Sequence, residues 1–182
     1  MRLSSIHAAL FMMPKKKALI RFLKWQNTTG TCKILIVTGC MAQRYKEEIT
    51  EEIPEVDAVL GTTSYGDIVK ALNEAEAGHV FQEFKDINAL PEDSGRRVIT
   101  TGGHYGYLKI AEGCDKHCTY CIIPSLRGKF RSVPEERLLK QAEYMASQGV
   151  RELILVAQET TVYGTDLYGK KTLHILLKKL CQ

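Results

Sequence analysis

No acidic residue precedes Glu47, although Arg2, Lys15, Lys16, Lys17, Arg21, Lys24, Lys33, Arg44 and Lys46 all lie before it. A head of that composition reads as a basic nucleic-acid arm or an organelle transit peptide. No apolar run approaches the length of a bilayer span, so no membrane contact is expected. A secretory leader, with its charged start, apolar centre and small-residue cleavage site, is also missing. The six cysteines cluster instead of spacing out as a disulfide framework. Free or metal-bound thiols in a reducing cytoplasm fit better. A last absence carries the most information. Cys114, Cys118 and Cys121 stand at C-x3-C-x2-C spacing with no fourth cysteine beside them.

The chain has 182 residues, 45% of them hydrophobic and 25% charged, which is ample for one globular domain or two small ones. Its net charge of +4 is mild. Residues 1–30 show no secondary-structure pattern. From Lys33 the chain becomes orderly. Lys33-Ile34-Leu35-Ile36-Val37-Thr38 is an apolar, β-branched run typical of a buried strand. Gly39-Cys40 makes a turn, and Met41 to about Ile53 reads as one charged surface helix. Asp57-Ala58-Val59-Leu60 is a second strand closed by Gly61. Ser64 with Asp67 predicts a capping box, then a helix to about Ala77 with Gly78 as its stop. Residues 31–80 therefore form a β-α-β-α unit with a parallel sheet covered by helices.

Residues 81–104 read as a linker, with Pro91, Glu92-Asp93-Ser94-Gly95 and Gly102-Gly103 as turn signals. Residues 105–182 form a second α/β unit. Tyr105 to Glu112 is a strand that runs into the cysteine loop. Ser132 with Glu135 predicts a capping box, with Pro134 in the first turn. Leu138, Leu139, Ala142, Met145 and Ala146 mark one helix face, which ends at Gly149. Glu152 to Ala157 is the next strand, and Thr172 to Cys181 a helix. Two strands flanking a helix form a right-handed crossover. In barrels of such units the chemistry sits at the carboxyl ends of the strands. The cysteine loop and Gln158-Glu159-Thr160-Thr161 then face one mouth. Two strands cannot close a barrel, so the unit reads as the start of a larger one.

A three-thiol loop can hold three irons of a cubane cluster and leave the fourth open to a small ligand, whereas a closed structural cluster normally takes four cysteines. Zinc is the rival, with His117 as fourth ligand. His117 directly precedes Cys118, though, and zinc sites prefer ligand pairs from separated segments. Tyr120 reads equally as core packing or as an aromatic wall for a cofactor ring. Cys40, after Gly39, reads on its own as a small buried hydrophobe. Cys32 and Cys181 read as structural. Arg127-Gly128-Lys129-Phe130-Arg131 reads as a channel lining for an anionic group or as a plain solvated loop. No catalytic residue is assigned.

The C-x3-C-x2-C spacing resembles the signature of radical S-adenosylmethionine enzymes. Leu108 to Asp115, followed by Cys121-Ile122-Ile123-Pro124-Ser125-Leu126-Arg127-Gly128-Lys129-Phe130-Arg131-Ser132, resembles the methylthiotransferase branch. Asp115, Ala157-Gln158-Glu159-Thr160-Thr161, Tyr163-Gly164 and Asp166-Leu167-Tyr168-Gly169-Lys170 resemble the branch that modifies a ribosomal protein. Val37-Thr38-Gly39-Cys40-Met41-Ala42-Gln43-Arg44-Tyr45 resembles the third cysteine motif of its amino-terminal domain. The resemblance implies an amino-terminal methylthiotransferase domain followed by the first β-α-β units of a TIM-type radical barrel. It implies a 4Fe–4S cluster on Cys114, Cys118 and Cys121 whose open iron binds S-adenosylmethionine, with Tyr120 and Gln158 as cofactor-binding residues. A 5′-deoxyadenosyl radical would then take hydrogen from the β-carbon of an aspartate in the twelfth small-subunit ribosomal protein. A flavodoxin or ferredoxin is the implied electron donor. Cys40 would be one of three ligands to a second 4Fe–4S cluster, but the two earlier cysteines of that set are absent from their expected context. The alternatives are a tRNA adenosine methylthiotransferase and a non-catalytic, metal-stabilised module that binds RNA or ribosome. The acid-free head has an explanation from the same resemblance. A family helix run coded GAT-GCC-AAA-AAA-GAA-AGC-ATT-GAT, read one nucleotide later, gives Met13-Pro14-Lys15-Lys16-Lys17-Ala18-Leu19. Residues 1 to about 27 are thus expected to be an out-of-frame segment.

Overall fold

The computed structural model describes the backbone of residues 4–7, then residues 34–90, 98–99 and 103–182. Most of the head, including Cys32 and the proposed frame change, lies outside the described residues. The chain divides into two compact units, Met1–Pro91 and Glu92–Gln182.

The first unit is built on a parallel sheet of order β1-β2-β3-β4, formed by Ser4–His7, Leu35–Thr38, Ala58–Leu60 and Phe81–Glu83. The period-2 alternation of strand side chains splits the apolar run between two cores. Leu35, Val37 and Val59 pack on one face with Ala42, Ile49, Ile53 and Val56. Ile36, Ala58 and Leu60 pack on the other with Ala71. A sheet covered on both faces is why the strands read as unbroken hydrophobic runs.

Three expectations for this unit need correction. The helix expected from Met41 to Ile53 is two helices, α1 (Cys40–Arg44) and α2 (Lys46–Glu52). Tyr45 leaves helical geometry between them (φ −121°, ψ 31°) and packs on the core formed around Val37 and Ile49. The capping box at Ser64 does not form. Its hydroxyl instead accepts the Lys85 N–H at 2.9 Å, and a short 3-10 turn (Tyr65–Asp67) leads into α3 (Ile68–Glu76). Gly78, at φ +80°, does end α3. Strand β4 lies in what the sequence presented as linker, so the unit extends beyond residue 80.

The second unit pairs β5 (Tyr105–Lys109) with β8 (Glu152–Val156) in parallel, from Tyr105↔Glu152 to Lys109↔Val156. The single strand expected to Glu112 divides at Ile110, because its two sides bond different partners. The Ile110 N–H donates to Val156 (2.9 Å) and its carbonyl accepts the Val133 N–H (2.8 Å). Ala111–Glu112 then forms β6, antiparallel to β7 (Arg131–Ser132). Helix α5 (Glu135–Ser147) connects β7 to β8 and buries Leu138 and Met145. Its end is a Schellman motif: Gly149 N–H bonds the Ala146 carbonyl, Val150 N–H bonds that of Met145, and Gly149 takes φ +91°. The expected capping box at Ser132 is absent, and Pro134 stands at the N-cap outside the first turn. After β8 come α6 (Thr165–Tyr168) and α7 (Leu173–Leu180). The remaining short helix, α4 (Ile123–Arg127), follows the cysteine loop. Cys181 is exposed after α7, so its structural reading is corrected. No helix of the described residues is long and apolar enough to cross a membrane.

Candidate cysteine-loop site

The loop starts where β6 ends. Gly113 takes φ +76°, and a Cβ there would meet the Lys129 carbonyl oxygen at 2.1 Å and that of Gly128 at 2.6 Å. Only glycine permits that approach of two backbones. The outgoing strand is held to the returning one by Cys114 N–H to Gly128 C=O (3.2 Å) and by Phe130 N–H to the Asp115 carboxylate (2.9 Å). Beyond this stem, Cys121 N–H donates to the Cys118 carbonyl (2.9 Å), so the second and third thiol-bearing residues share one turn.

The three thiols differ in access: Cys114 is buried, Cys121 half-buried and Cys118 exposed, and none is in a disulfide. Among the described residues, no three His, Cys, Asp or Glu side chains converge as a metal site. The loop nonetheless suits a soft metal centre. It gathers three thiol donors onto one short segment with a hydrogen-bonded stem, and thiolates are the donors of iron–sulfur ligation. Tyr120, 92% exposed, packs in no core, which removes the bland reading of it.

The segment after β8 closes on this loop, as the shared mouth required. The Gln158 side-chain carbonyl accepts the Gly113 N–H at 2.9 Å. Lys116, inside the loop, forms an ion pair with Glu159. Glu159 also accepts the Thr161 N–H (3.0 Å) and hydroxyl. These donors, Lys116 first, hold the Glu159 carboxyl well below its usual range, at about 2. The same pair raises the Lys116 ammonium above its ordinary value.

The basic stretch after the loop is not a plain solvated segment. Arg127 pairs at 3.1 Å with Glu112, a buried carboxylate that Lys109 also contacts. Arg131 donates to the Arg127 carbonyl at 3.0 Å, and Phe130 is buried. In the first unit, Cys40 is buried at the start of α1, behind Gly39 at φ 97°. The other two positions of an auxiliary trio find no cysteine among the described residues of that unit.

Sequence reasoning missed the bonds that hold the loop. Asp115 staples Phe130, and Asp166 binds Ser132 through both its oxygens. No local pattern marked the second pair, since the partners lie 34 residues apart.

Residues 108–180 match the Radical SAM superfamily, and residues 11–61 match Uncharacterized protein family UPF0004. The chain is 62% identical, over 84% of its length, to the ribosomal protein uS12 methylthiotransferase RimO of Lachnoclostridium phytofermentans. It is 51% identical over 85% of its length to that of Clostridioides difficile, and 46% over 91% to that of Clostridium tetani. It covers 35%, 35% and 38% of those three proteins, so it spans about a third of the relatives it matches.

Proposed function

We propose that this chain, which is similar to RimO-type methylthiotransferases and matches the Radical SAM superfamily over residues 108–180, carries the cofactor-binding part of an enzyme that adds a methylthio group to the β-carbon of an aspartate in ribosomal protein uS12. The observation that carries this reading is the single mouth formed by the Cys114–Cys121 loop and the segment after β8, joined by Gly113–Gln158 and Lys116–Glu159. Cys114, Cys118 and Cys121 are the proposed ligands of a 4Fe–4S cluster, which when bound supplies an open iron for S-adenosylmethionine and the electron that cleaves it.

The chain's own residues hold and shield. Gly113 lets the loop start against the returning backbone. Asp115 fixes the loop's depth. Lys116 and Glu159 neutralise each other beside the thiols. Tyr120 offers an exposed ring face to a bound cofactor, and Gln158 sets the height of the loop's base. The β5-α5-β8 unit is proposed as the first part of a TIM-type barrel. Cys40 is proposed as one ligand of a second cluster whose set is incomplete here. With that set incomplete, the chain by itself lacks full methylthiotransferase activity. Flavodoxin or ferredoxin supplies the electrons, and the reaction belongs to the cytoplasm.

The test is anaerobic reconstitution with iron and sulfide, followed by reduction with S-adenosylmethionine present. The expected result is 5′-deoxyadenosine from the parent chain and none from Cys118→Ala, with no methylthio product on a uS12 peptide. A colourless protein with one zinc per chain and no cleavage would point to a metal-stabilised binding module instead.

A further inference from the structure

The segment Asp166-Leu167-Tyr168-Gly169 is far from the thiols in sequence, yet it is anchored beside their stem. The Asp166 carboxylate accepts two hydrogen bonds from Ser132: the backbone N–H at 2.7 Å and the hydroxyl at 2.6 Å. The same hydroxyl oxygen accepts the Gly164 N–H at 2.9 Å, so its single proton is committed to Asp166. Ser132 is fully buried. Gly164, at φ +89°, packs so tightly that a Cβ there would meet the Thr172 hydroxyl oxygen at 2.0 Å. Next to it, buried Tyr163 donates its hydroxyl to the Val133 carbonyl at 2.8 Å. Residues 163–166 therefore grip both Ser132 and Val133.

Those two residues fasten the cysteine loop. Ser132 pairs with Ala111, and Arg131 with Glu112, the residue before Gly113. The Val133 N–H holds the Ile110 carbonyl. The segment after β8 is thus pinned at two places. Gln158 and Glu159 hold its near end to the loop, and Tyr163 to Asp166 hold its far end to the strand that closes the stem.

We propose that Asp166 is a positioning residue for the cysteine loop, acting through Ser132 to keep β7 registered on β6. The inference deepens the proposed function and rests on it only in taking this loop as the one that binds the cofactor. A carboxylate suits the place because two donors converge on it. Asparagine offers one acceptor oxygen and would turn an N–H toward a donor.

Amide hydrogen exchange on the full chain tests this without any cofactor. In Asp166→Asn the amides of residues 113–121 and of Phe130 should exchange about tenfold faster, while those of α5 and of the β5–β8 pair keep the parent rates. Ser132→Ala, which keeps the backbone N–H bond to Asp166 but loses both bonds of the hydroxyl, should also accelerate the same amides about tenfold. Uniform acceleration across the second unit, or an unchanged loop, in both variants overturns the proposal. A second arm measures iron retained after reconstitution and a chelator challenge. Retention should fall in Asp166→Asn and not in Lys179→Ala, which removes only the Lys179–Glu135 pair. Should the parent itself take up no iron, the proposed function falls, and hydrogen exchange still decides the role of Asp166.

Discussion

Gly113 meets a demand set by backbone atoms. Its positive φ excludes ordinary side chains, and the Lys129 and Gly128 carbonyls fill the space a Cβ needs. Neither obstacle is the movable end of a side chain. Gly113→Ala should therefore cost about 3 kcal/mol or more of stability, read as a lower urea midpoint. It should also expose Cys114 to thiol reagents. Tyr163 acts at the same scale through its proton. Burial raises its phenol above the ordinary value of 10.0. The folded state therefore favours the neutral form. Its contribution is complete below about pH 10 and is lost as pH climbs through the raised value. In Tyr163→Phe the alkaline decline in stability should become shallower, while at neutral pH the variant loses about 1 kcal/mol with the bond to Val133. An unchanged alkaline slope on denaturant titration would contradict this.

At the scale of elements, α5 is held to the sheet by a small-to-large fit. Gly106 on β5 faces Met145, whose terminal carbon lies 2.8 Å from where a Cβ would stand. Met145 is a flexible side chain, so Gly106→Ala should be absorbed by a rotamer change at about 1 kcal/mol or less. Met145→Ala should cost about 2–4 kcal/mol, because the buried side chain leaves a cavity. Equal losses in the two variants, compared by thermal or urea denaturation, would refute the fit described. The same elements show what the sequence made legible. Leu35 to Thr38 read correctly as a strand because a sheet buried on both faces leaves an apolar run. Helix α5 and its stop read correctly because its periodicity and Gly149 are local signals. Strand β4 was hidden because Phe81–Glu83 is three residues long and only partly buried. The capping boxes at Ser64 and Ser132 failed for one reason. Each hydroxyl is taken by a distant group, Lys85 or Asp166, and a local motif carries no record of such partners.

For the whole molecule, the cysteine spacing pointed to the chemistry, while the hydrogen bonds that hold the loop lay in residues far apart in the chain. Two compact α/β units follow one another, each with parallel strands and covering helices. Their motifs answer to two family descriptions, one over residues 11–61 and the other over residues 108–180. The second unit carries the three-thiol loop and the segment that meets it, and the central claim concerns what those thiols hold. Mössbauer spectroscopy of the chain, reconstituted without oxygen from isotopically enriched iron, tests it most directly. The account predicts about four irons per chain with cubane parameters, a signal lost in Cys118→Ala and retained in Cys181→Ala. A spectrum without a cubane, or one that survives Cys118→Ala unchanged, would contradict it.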